Sequence, residues 1–117
     1  MAITKNVIPL EKLLHKSWPT LRRPAVKNID AALIAYYGSD GYIDNKAIQE
    51  IFGFKRCTSA SMLRLQVRQV EIDNDIPMVV PNHVNVRVAF AVWGIDPDEL
   101  ESRRQKLIKL GLYKNEN

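Results

Sequence analysis

The sequence predicts a mainly α-helical single domain that carries a small β-hairpin. Three observations lead there. Apolar residues recur at helical spacing in several separate stretches. Asp, Asn, Gly and Pro punctuate those stretches where helices start and stop. One stretch, residues 76–86, has a strand–turn–strand pattern instead. The 117 residues suit one domain better than two.

Composition narrows the class. The chain is 46% hydrophobic and 26% charged, close to the globular average, so it can bury a core. Its 17 basic and 13 acidic side chains give a formal charge of +4, a weak sign of a polyanionic partner. The single cysteine, Cys57, excludes an internal disulfide framework and any multi-cysteine zinc site and suits a reducing cytoplasm. No apolar run approaches the roughly 20 residues needed to span a bilayer, and the first residues lack the apolar segment of a secretory signal. A cytoplasmic protein with no membrane association is expected.

Residues 1–8 read as a tail, followed by a short helix with Leu10, Leu13 and Leu14 on one face. Residues 16–24 hold two prolines beyond Pro9 and three basic residues. They suit either a basic arm or a loop pinned by Trp18 in the core. Pro24 then suits a helix start, and Val26, Ile29, Leu33 and Tyr36 predict an amphipathic helix over 25–37. Gly38 to Gly41 end it, and Tyr42-Ile43 reads as a short strand or extended core contact.

Asp44 is a good N-cap, because its carboxylate can accept from the orphan N–H groups of the first turn. Ala47, Ile48, Ile51 and Phe52 form the buried stripe of the helix that follows. Gly53 and Phe54 are the expected terminating glycine and its apolar neighbour. Residues 55–57 make a turn. Thr58 or Ser59 is expected to cap a helix running to about Ile72, with Ala60, Leu63, Val67 and Val70 inward. Residues 76–80 and 84–86 read as strands around a turn at 81–83. Residues 86–93 fit either a continued strand or a helix capped by Asn85, and the helix is preferred. Asp96-Pro97 opens a last helix, with Lys106 and Lys109 near its negative end and Gly111 closing it. Its thin stripe of Leu100, Leu107, Ile108 and Leu110 fits packing on the core or a homodimer contact. Three parts are therefore expected: residues 1–24 as an arm, 25–95 as the core and 96–117 as the last helix.

Two short helices joined by a tight turn, about 45–52 and 59–71, are the helix-turn-helix outline. In that arrangement the second helix enters the major groove of DNA by its N-terminal part. Residues 54–70 hold Lys55, Arg56, Arg64 and Arg68 and no acid. On a helical wheel Ser61, Arg64 and Arg68 are expected opposite the Leu63–Val67–Val70 stripe. Arg64 and Arg68 then suit guanine and Gln69 adenine. Lys55 and Arg56, with Thr58, Ser59 and the free N–H groups of the first turn, suit phosphate. The turn after the helix adds Asn82, His83, Asn85 and Arg87 as candidates for the backbone or the minor groove.

Residues 44–54, 58–72 and 76–86, with the Ile76-Pro77 pair leading into a hairpin, resemble the winged helix-turn-helix group. The likeness is to the small wings of excisionases and MerR-like regulators. It implies a winged fold, a double-stranded DNA partner and a wing at 81–87. Unlike many such wings, 81–83 carries no lysine or arginine.

Enzyme chemistry is not expected. Two histidines, His15 and His83, and one cysteine give only a remote Cys57–His83 nucleophile pair, and Cys57 is more simply a small, partly buried turn residue. No glycine-rich phosphate loop, metal loop or cofactor motif is present, so no catalytic residue, metal or cofactor is assigned. The leading expectation is a sequence-specific DNA-binding protein, regulatory or accessory. A transcription regulator, an excisionase-like protein or a relaxosome component of a phage or mobile element would fit. The rival is a protein-interaction module built on the same fold, using Met62, Leu65 and the C-terminal leucines. RNA binding ranks third, because no aromatic stacking platform is evident.

Overall fold

The order helix–strand–helix–helix–strand–helix–helix describes the chain in a computed structural model that covers residues 19–112. The elements are α1 (Ile29–Leu33, continued by a π-turn over Ile34–Gly38), β1 (Tyr42–Ile43), α2 (Asn45–Phe52), α3 (Cys57–Asp73), β2 (Val84–Asn85), α4 (Val86–Trp93) and α5 (Pro97–Lys109). The expected tail, the helix near residues 9–14 and Trp18 lie outside the described residues. No described helix is long and apolar enough to cross a membrane.

One core joins these elements. Phe52, Phe90 and Trp93 are fully buried and meet ring to ring, Phe52 against Trp93 edge-on at 5.2 Å between centroids. Ile48 and Ile51 of α2, Val67 of α3 and Val88 and Val92 of α4 fill the space around them. Burying each such side chain contributes roughly 1.5–3 kcal/mol, so this apolar cluster is the main source of stability. The helix ends follow local chemistry. Asp44, Asn85 and Asp96 accept from first-turn N–H groups of α2, α4 and α5. Gly53, Gly94 and Gly111 close the same three helices with φ near +70°, where a side chain would be strained.

Four expectations are corrected. The first helix starts at Ile29, not near 25. Asn28 caps it by accepting from Ala31 N–H, and Lys27 and Asn28 donate their own N–H groups to Ile51 O at the end of α2. Residues 19–27 form no helix or strand and are held by Leu21 N–H to Val92 O and by Arg23 Nε to Trp93 O, both 2.8 Å. The cap of α3 is Arg56, with helix from Cys57, so Thr58 and Ser59 lie inside the first turn.

The hairpin is the third correction. Residues 76–80 form no strand. Ile76 already donates its N–H to Glu71 O and gives its carbonyl to Arg68, and Pro77 has no N–H to offer. Val84–Asn85 pairs antiparallel with Tyr42–Ile43, in register Tyr42 to Asn85 and Ile43 to Val84. The small sheet therefore links distant segments. The fourth correction is its length: β2 stops at Asn85, where the side chain caps α4 and ends the returning strand. The preferred helical reading of 86–93 agrees with α4.

Candidate nucleic-acid interface

The pair α2 and α3 forms the most extensive helix contact of the fold. Asp44 Oδ1 accepts from Ala47 N–H at 3.0 Å and starts α2. Gly53 ends it, with Phe54 N–H returning to Gln49 O at 3.0 Å. The chain then turns through Lys55 and Arg56 into α3. No side chain caps the N-terminus of α3. Cys57, Thr58 and Ser59 are exposed there, as are Lys55 and Arg56. Cys57 is thus an exposed free thiol and not partly buried. From Ile51 to Val70 the sequence has no acid. Open backbone N–H groups, the positive end of the helix dipole and two flexible cations therefore converge on one exposed corner, which suits a phosphate.

Further along α3 the expected face is rotated. Ala60, Leu63, Val67 and Val70 are buried as expected, but Glu71 joins them at 2% exposure. Adding position 71 widens the buried sector toward Arg64 and Arg68. Both arginines then lie on its flank and fold back. Arg64 Nε donates to Asn45 Oδ1 at 2.7 Å. Arg68 Nη1 donates to Glu71 Oε1 at 2.8 Å and to Ile76 O at 3.0 Å. The exposed side of α3 carries Thr58, Met62, Leu65, Gln69 and Ile72, with Gln66 exposed at its edge beside Met62. Gln69 Nε2 donates to Asp73 Oδ1 at 2.9 Å, and Ser61 is half-buried beside this face.

Glu71 is the structural residue that sequence reasoning missed. Its second oxygen accepts from Asn85 N–H at 2.7 Å, so one buried carboxylate ties α3, Arg68 and β2 together. Burial pushes its carboxyl above the ordinary glutamate range, against the opposing pull of the Asn85 N–H and the Arg68 guanidinium. Its helical position beside Val67 and Val70, three residues after Arg68, was the available signal.

The candidates after α3 are placed apart from Lys55 and Arg56. Asn82 is exposed with φ +62°, and His83 N–H closes a turn on Val80 O. The ring of His83 lies with Nδ1 2.8 Å from Pro81 O and Nε2 3.9 Å from Asp44 Oδ2. Asp44 stands at one end of α2 and Lys55–Arg56 follow the other, about 12 Å away by the helical rise. Asn85 is spent as a cap, and Arg87 is exposed on the first turn of α4. His83 and Asp44 instead border a groove of about 610 Å³ that also holds Asp30 and Glu50, a surface that repels phosphate. Cys57, at the start of α3, is not brought to His83 by any hydrogen bond among the described residues. No cluster of three or more metal-binding side chains occurs among them. No protein-family model, no curated protein and no solved structure matches the chain.

Proposed function

We propose that this is a sequence-specific, double-stranded DNA-binding protein, regulatory or accessory in role, that places α3 in the major groove. One observation carries the reading: α3 begins uncapped and exposed, flanked by Lys55 and Arg56. Helix ends in folded proteins are usually satisfied by a side chain, water or ligand, and this one faces outward in an acid-free stretch. The order of elements supports a winged helix-turn-helix, since a strand between the first two helices pairs with a strand after the third. Residues 76–83 would then stand where a wing stands.

The test is a mobility shift on mixed duplexes over a salt series. Affinity should fall steeply with salt. Lys55→Ala with Arg56→Ala should weaken all duplexes alike and flatten the log–log salt slope by about 2, one for each phosphate that is no longer neutralised. An unchanged slope would rule out this corner as the phosphate site.

A homodimer through α5 is also proposed, from a specific observation. Leu100 is buried and Arg104 Nε donates to Asp30 Oδ1 at 2.9 Å, so the first half of α5 docks on α1. Its last turn and the residues just after it leave Ile108, Leu110 and Leu112 exposed, the two leucines by 69% and 64%. Light scattering should show a dimer that Leu110→Lys converts to monomer. A monomer before substitution ends that idea.

A further inference from the structure

We infer that α3 selects A·T-rich duplex, reading adenine through Gln66 and Gln69 and thymine methyl groups through Met62 and Leu65. This rests on α3 being the groove helix and names what it reads there.

Guanine is read best by an arginine or lysine fork at O6 and N7, and cytosine by a carboxylate accepting from N4. Neither group stands on the outer face of α3. Arg68 is tied to Glu71 and Ile76, and Arg64, on the flank, gives its Nε to Asn45. The exposed face carries no acid before Asp73, in the last turn. What it does present is Met62 and Leu65, 60% and 55% exposed, with Gln66 exposed beside them. An amide side chain pairs with adenine N6 and N7, and apolar groups contact the thymine methyl. Gln69 reaches adenine by exchanging its bond to Asp73, which lies on the surface. Charge complementarity selects DNA as the occupant of this apolar strip: it adjoins the open helix end and Lys55–Arg56, not the acidic groove beside Asp44.

The experiment is selection of bound duplexes from a random pool with the full chain, followed by titration of the preferred duplex. The selected core should be A·T-rich. Deoxyuridine in place of thymidine, which removes only the methyl group, should weaken binding several-fold. Met62→Ala with Leu65→Ala should erase that difference, and both positions are exposed enough for the fold to tolerate the change. Gln66→Ala should relax preference at one A·T pair by about tenfold. A G·C-rich core, or equal affinity for uracil and thymine, overturns the inference while DNA binding stands. Failure to retain any duplex at low salt overturns the proposed function as well. A dimer that Leu65→Ala dissociates, with duplex affinity unchanged, would assign the strip to a second copy instead.

Discussion

Helices α2 and α3, packed against one another, are finished differently. Helix α2 is closed at both ends, by Asp44 and by Gly53. Its inward positions Ile48, Ile51 and Phe52 are sealed in the core. Helix α3 is twice as long, has no side-chain cap at its start, and leaves Met62, Leu65 and Ile72 more than half exposed. A segment that serves only folding has its polar ends satisfied and its apolar surface covered. The contrast teaches that α2 is scaffold, whereas α3 is scaffold on one side and unfinished surface on the other. The boundary between the two sides of α3 runs through Arg64 and Arg68, which point back into the fold.

The largest effect should come from cutting that boundary. Glu71→Ala leaves the Arg68 guanidinium and the Asn85 N–H without their shared carboxylate. It should destabilise the fold by about 3 kcal/mol in chemical denaturation; a loss under about 1 kcal/mol would mean that water replaces the carboxylate and that α3 is not anchored there. Glu71→Gln should cost less and carries a pH signature. The folded carboxyl is held above its ordinary value, so the native state binds a proton more tightly than the unfolded chain. Its contribution to stability is full below about pH 4.3 and is lost as pH rises through the raised folded value. The stability of the parent relative to Glu71→Gln should therefore decline from about pH 4 toward neutrality. An increase would show that the hydrogen bonds outweigh burial.

Smaller effects should separate the two helix starts. Asp44→Ala removes a working cap and should cost about 1 kcal/mol. Arg56→Asp places a capping carboxylate at the open end of α3, and should stabilise the fold by roughly 0.5–1 kcal/mol while weakening duplex binding. Opposite signs in melting and in binding would sharpen the contrast between a structural and a functional helix end. If Arg56→Asp lost both, the open end would be a feature of folding alone.

Much of the fold was legible because its signals are local. Asp44, Gly53, Asn85, Gly94 and Asp96 mark boundaries through hydrogen bonds within a turn of themselves, and the helices they bound are found as expected. The start of α1 was not legible, because Lys27 and Asn28 are claimed by Ile51, a partner distant in sequence. The hairpin failed for the same kind of reason. Residues 76–80 are a short apolar run rich in β-branched residues, like a strand, yet their first backbone groups belong to Glu71 and Arg68, and β2 finds β1 across the whole helix pair. At the candidate site Lys55, Arg56, Thr58 and Ser59 are exposed together at the head of α3. The arginines deeper in α3 were misplaced on the wheel: at about 100° per residue, Arg64 falls only about 40° from the buried Ala60 and Arg68 about 60° from the buried Glu71, on the flank of the inward sector and not opposite it.

The pairing of β1 with β2 has a consequence for how the molecule assembles. Only two residue pairs are involved, yet they close a loop of about 40 residues that contains both α2 and α3. Helix contacts between neighbours in the chain can form early, whereas a closure of that span must wait until they have shortened it. The sheet is thus expected to close after the helix pair. Its opening would part Val84–Asn85 from Tyr42–Ile43 while Glu71 still held the Asn85 and Ile76 N–H groups.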